Sequence, residues 1–255
     1  MKTLATIICC TLLLQTGFSQ SVETRIMVRA KAKDAKFIGS SMGGAQVNIS
    51  NADTGELLAN GIITGSTGNT DVIMKTAHER GKQLSDTETA GYEAVLQLSK
   101  PVLAHIEVLA PLGQRQSIVK SGTQVWLIPG KHILGDGIVL EFPGFVVDIQ
   151  SPGAQSFIKQ ENKGKQQIKI SAHVVMMCGC TITKDGLWNA NNYEVQAVLS
   201  YKGKKLEEIK MRWVSDNQYE AQFEPTEKGV YEFYVYAYDP ATGNTGVDFS
   251  SFIVQ

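Results

Sequence analysis

Cysteine is scarce in this chain. There are four in 255 residues, and two of them, Cys9 and Cys10, lie in an apolar run near the start. Only Cys178 and Cys180 remain beyond it, which excludes a framework of disulfides stapling distant segments. Charge of one sign is lacking too: 24 Lys and Arg stand against 25 Asp and Glu, a net charge of -1. The cations are scattered, so no basic stripe argues for nucleic acid. After residue 14 no apolar run approaches the roughly 20 residues that a membrane helix needs. Helical periodicity is missing as well. So are a Ser–His–acid grouping, a Walker loop, a His-Glu-x-x-His motif and a paired-carboxylate signature. The glycine-rich stretches sit between strand-like segments rather than opening helices, which argues against phosphate cradling. Nothing here supports catalysis.

What is present begins with a leader. Lys2 gives a positive start, residues 4–14 are apolar, and Gly17-Phe18-Ser19 puts small residues at the two positions a signal peptidase reads before Gln20. Residues 1–19 are expected to be a signal peptide of bacterial type, placing the protein in the periplasm or outside the cell. Ile8 precedes Cys9 and the apolar run continues past Cys10, which argues against a lipid-modified cysteine. About 235 residues would remain, enough for two ordinary domains.

Those residues alternate. Ile26, Val28 and Ala30 interleave with Met27, Arg29 and Lys31; Val47 and Ile49 interleave with Asn48 and Ser50. Further strands are expected at 72–74, 92–98, 102–109, 124–128, 138–140 and 145–149, separated by glycine and proline turns, with 75–90 as a long polar loop. Residues 151–167 are polar and rich in turn formers, and read as a linker. Strand patterns resume at 168–177, 193–199, 209–214, 219–223, 230–238 and 247–254. The expected fold is all-β: two antiparallel β-sandwiches in tandem, at 20–150 and 168–255.

Two resemblances sharpen this expectation. Ala45-Gln-Val-Asn-Ile49, Thr54-Gly-Glu-Leu-Leu-Ala59 and Gly65-Ser-Thr-Gly68 resemble the opening of prealbumin-like or carboxypeptidase-regulatory-like β-sandwich modules. In the second half, Gly229-Val-Tyr-Glu-Phe233 resembles the tyrosine-corner strand of bacterial immunoglobulin-like and fibronectin-type domains, with Phe233 where a disulfide-bonded member would carry cysteine. Ala237-Tyr-Asp239 and Gly243-Asn-Thr-Gly246 resemble their final hairpin. The resemblance implies a sandwich of about ninety residues and no particular activity.

The stretch that concentrates chemistry is 173–180, His-Val-Val-Met-Met-Cys-Gly-Cys. On an extended strand Met176, Cys178 and Cys180 share one face, and His173, Val175 and Met177 the other. A turn at Gly179 would bring the two sulfurs together. Thiolate and thioether donors favour Cu(I) over Zn(II), so Cys178, Cys180 and Met176, with Met177 and His173 behind them, form a candidate copper site. A local disulfide and an inert core strand are the competing readings. Trp188, in the polar segment that follows, is placed to cover the sulfurs, to anchor a loop, or to join the tyrosines named next in binding a partner. Tyr234, Tyr236 and Tyr238 alternate onto one face of a strand, where they can bind a protein or glycan partner or pack on the first sandwich. Asp239 and Asn244 read as turn formers.

The sequence thus suggests an exported, non-catalytic accessory protein. It either holds a soft metal, copper first, through the Met-Met-Cys-Gly-Cys stretch, or is a structural or adhesive sandwich that meets a cell-envelope partner without metal.

Overall fold

The computed structural model describes residues 20–159 and 167–255; the leader and the middle of the expected linker lie outside the described residues. Everything regular in it is β-structure apart from short turns. The chain opens on β1 (Val22–Ala32), whose alternating Ile26, Val28 and Ala30 are fully buried. It pairs antiparallel with β4 (Tyr92–Leu98) and parallel with β7 (Ile133–Phe142). A four-stranded sheet packs against these, in the order β3 (Leu57–Ile63), β2 (Ala45–Asn51), β5 (Val102–Ala110), β6 (Val119–Leu127). Val47 and Ile49 of β2 and Ala104, Ile106 and Val108 of β5 form its inner face. The period of two in the sequence becomes a two-sided sheet with one face in the core.

The second sandwich is built the same way. One sheet runs β13 (Arg212–Ser215), β14 (Gln218–Phe223), β10 (Ile168–Met176), β8 (Phe145–Ser151). The other runs β12 (Lys204–Lys210), β11 (Glu194–Tyr201), β15 (Gly229–Tyr238), β16 (Thr245–Val254), β9 (Ser156–Ile158). The tyrosine corner is present: the Tyr231 hydroxyl donates to the Glu227 carbonyl at 2.8 Å and accepts from the Glu227 amide at 3.1 Å. Tyr231 stacks on Phe252 at 5.3 Å, filling the centre where the sequence offers Phe233 instead of a cysteine.

Three expectations need correction. Residues 72–74 are not a strand but part of a π-helical turn, Asp71–Lys75. The Asn69 side chain accepts from the amides of Asp71 and Val72, and Lys75 pairs with Asp71 one turn on. With no sheet edge to bury them, three apolar residues follow the local cap. Residues 209–214 are two strands. The Met211 amide donates to the Val195 carbonyl and its side chain is buried, so the chain crosses there from one sheet to the other. The seam also lies earlier than residue 151. The strand at 145–149 already belongs to the second sandwich, through its pairing with β10, and the expected linker contains β9, which pairs parallel to β16.

The two sandwiches share one continuous set of buried apolar side chains. Asn244, fully buried, fastens them. Its Oδ1 accepts from the Gly144 amide at 3.0 Å, and its Nδ2 donates to the Lys33 carbonyl at 3.2 Å. Asp239 is spent on the same hairpin, accepting from the Ala241 amide and the Thr242 hydroxyl.

Candidate functional site

The sulfur stretch ends β10 in a tight turn. The Gly179 amide donates to the Met176 carbonyl at 2.7 Å and the Met176 amide to the Cys180 carbonyl at 3.2 Å. This places the cysteine Cα atoms 5.4 Å apart, and the two sulfurs are bonded to each other. Gly179 makes the turn possible. Its φ is +79°, and a Cβ there would come within 2.5 Å of the Met42 sulfur, so the turn seats directly on the first sandwich. Cys178 is 1% exposed and Cys180 8%.

The other expected ligands are dispersed. Met176 is fully buried. Met177 lines a cleft together with Phe145 and Tyr236, whereas the cysteines line a separate hollow with Trp188 and Lys36. His173 sits half-buried beside Asp148 and Gln218. Among the described residues no group of three or more His, Cys, Asp and Glu side chains is placed to hold a metal ion. Trp188 is not presented to a partner: it is 8% exposed, and its indole N–H donates to the Asp34 carbonyl at 2.9 Å, across to the first sandwich.

The tyrosine row is placed differently. On β15, Phe233, Val235 and Ala237 are buried, and Tyr234, Tyr236 and Tyr238 are half-buried on the opposite, outward face. Pairing with β16 sets Phe249 beside Tyr234 and Val247 beside Tyr236. Phe249 is 70% exposed, with its ring 5.7 Å from that of Tyr234; the rings of Tyr234 and Tyr236 are 6.4 Å apart. Polar groups border the patch. The Tyr236 hydroxyl donates to Glu208 at 3.0 Å, and Lys205 pairs with the same carboxylate. Burial, and then the Glu208 carboxylate, push the Tyr236 phenol up to about 12, so it remains a donor at neutral pH.

At one end the patch descends into an apolar cleft of about 560 Å³, lined by Tyr236, Tyr238, Val247, Phe145, Met177 and Val119 among others, with no charged side chain in its wall. At the other, Tyr234 and Phe249 border a shallower hollow of about 450 Å³ with Glu232 and Ser251. Sequence reasoning found the tyrosines and missed Phe249, Val247 and the cleft. The alternation of Val247 and Phe249 in the last strand carried the first signal. The cleft had none, because Val119 and Phe145 lie far from the tyrosines in sequence.

No family model matches the chain, and no curated protein matches it. Among solved structures, it is similar to the fibronectin(III)-like modules of Clostridium thermocellum CbhA at 12% identity, over 92% of this chain and 94% of that one, with a TM-score of 0.30. It is similar to three N-terminal domains of the bacteriophage RB49 highly immunogenic outer capsid protein at 11% identity, over 92% and 59%, with a TM-score of 0.27. An engineered protein is 16% identical over 48% of this chain, which spans 22% of that protein, with a TM-score of 0.33.

Proposed function

We propose that this is an exported, non-catalytic β-sandwich protein that binds a protein partner across the outer face of its second sandwich. The observation that carries the reading is the patch of Tyr234, Tyr236, Val247 and Phe249, with charged groups at its edge and an apolar cleft at its end. Protein interfaces have this anatomy: aromatic side chains at the centre, charge displaced to the rim, and a pocket for an anchoring side chain. Tyrosine contributes large contact area at little entropic cost because it has few rotatable bonds. A partner's apolar side chain entering the cleft would meet Met177 in its wall, whose flexible thioether adapts to what it meets. The bonded cysteine pair supports an extracytoplasmic location, since such bonds persist in oxidising compartments. On this reading the pair is structural, and the copper expectation would apply only to a reduced chain.

A photo-reactive residue placed at Phe249 tests the assignment in the producing cell, with the same residue at Trp126, an exposed aromatic on the first sandwich, as control. A discrete protein adduct from position 249, absent from position 126 and abolished by Tyr234→Ala, is expected. Identical adduct patterns from both positions, or none from 249, would overturn the reading.

A further inference from the structure

A second site stands apart from the aromatic face. Where the chain crosses between sheets at Met211, a hollow of about 440 Å³ is walled by Tyr193, Tyr219 and Trp213 and rimmed by Lys184, Lys210 and Arg212. This is within the size range of small-molecule sites. Its polar complement is one-sided. Trp213 and Tyr219 face each other across β13 and β14, and both the Trp213 indole nitrogen and the Tyr219 hydroxyl are buried without a hydrogen-bond partner. An indole N–H only donates, and burial pushes the Tyr219 phenol up to about 12, which keeps its proton in place. Tyr219 is 2% exposed, and a polar group buried this deeply is costly to leave unpaired. No carboxylate lines the hollow, and among the described residues none forms an ion pair with Lys184, Lys210 or Arg212.

Aromatic walls, two unpaired buried donors and three rim cations all ask for the same ligand: a flat apolar body bearing an anionic acceptor. We propose that this hollow binds a small aromatic carboxylate, its ring between Tyr193 and Trp213 and its carboxylate taking the donors of Trp213 and Tyr219 under the field of Arg212 and Lys210. Trp213 is half-buried and its indole nitrogen is covered, so on this proposal its ring turns on binding to present the N–H. Charge-assisted hydrogen bonds of this kind are stronger than neutral ones, so both charge and shape are read.

The test is titration of the isotope-labelled chain with benzoate, following the side-chain N–H resonances of its three tryptophans, with Trp213 assigned through Trp213→Phe. A saturable shift of the Trp213 signal alone is expected. Benzyl alcohol, similar in shape but uncharged, should produce none, and Arg212→Gln, at an exposed position, should weaken benzoate binding about 3–10-fold, in line with the loss of one charged contact. Tyr234→Ala should leave the titration unchanged, separating this site from the partner face. A Trp213 signal unmoved by benzoate, or moved equally by benzyl alcohol, would overturn the proposal.

Discussion

The Cys178–Gly179–Cys180 turn carries two consequences at the level of single residues. With the sulfurs bonded to each other, Cys178 and Cys180 should not react with a thiol reagent until a reductant is added, and both should react afterwards. Copper(I) bound by the untreated chain at a level above that of Cys178→Ser would contradict the structural reading. Gly179→Ala should destabilise the fold by about 1–3 kcal/mol, because a side chain there is strained at positive φ and meets Met42; a melting temperature equal to wild type would show that the turn can shift off the first sandwich. Sequence gave the proximity of the sulfurs but not their surroundings. Spacing fixes how far apart two cysteines lie along the chain, whereas Met42, Trp188 and Lys36 arrive from elsewhere. Asp148 shows a residue in tension with its setting. Burial raises its pKa and Asp248 adds to the effect, while His173 partly offsets them. A carboxyl whose folded pKa is raised binds its proton more tightly in the folded state, so it costs stability at neutral pH and the cost is relieved as pH falls through the raised value. Asp148→Asn should therefore raise the melting temperature at neutral pH, and the gain should disappear in acid; a gain that persists in acid would point to a cause other than charge.

Elements behaved according to whether they had a partner to bury against. Alternating segments such as 92–98 became β4 with the register the pattern requires, because a one-residue slip would turn Ala94, Leu96 and Leu98 to water. Residues 72–74 carry the same apolar composition with no neighbouring strand, and the cap at Asn69 decided their conformation instead. Met211 divided what reads as one strand, since alternation shows which residues face inward but not which sheet they face inward toward. The tyrosine corner was legible because it is local: Tyr231 bonds to a residue four earlier. Tyr231→Phe should cost about 1–2 kcal/mol, the net contribution of the lost hydrogen bond plus the unpaired Glu227 groups. An unchanged denaturation midpoint would show that water replaces the hydroxyl.

At the scale of the molecule the two sandwiches are joined by apolar contact and by hydrogen bonds that include those of Asn244, Trp188 and Lys33. Replacing Asn244 with alanine leaves the Gly144 amide and the Lys33 carbonyl without that partner, at about 2–4 kcal/mol for two such groups. The intact chain should melt in one calorimetric transition, because its core is continuous, and Asn244→Ala should lower or split it. Two separated transitions in the intact chain would mean that the shared contacts do not couple the halves.

The sequence by itself determined the all-β class, the approximate position of most strands, the alternation of Tyr234, Tyr236 and Tyr238 onto one face of β15, and the closeness of Cys178 to Cys180. All of these are set by side-chain alternation or by neighbours a few residues apart. Only the tertiary structure decided that β8 and β9 belong to the second sandwich, that Trp188 is spent on Asp34, that Met177 and the cysteines line different hollows, and that Phe249 extends the tyrosine row. Each of those depends on which distant strand comes to lie alongside. Sheet pairing is a choice among many non-local partners, settled by the summed burial of both faces rather than by any one segment.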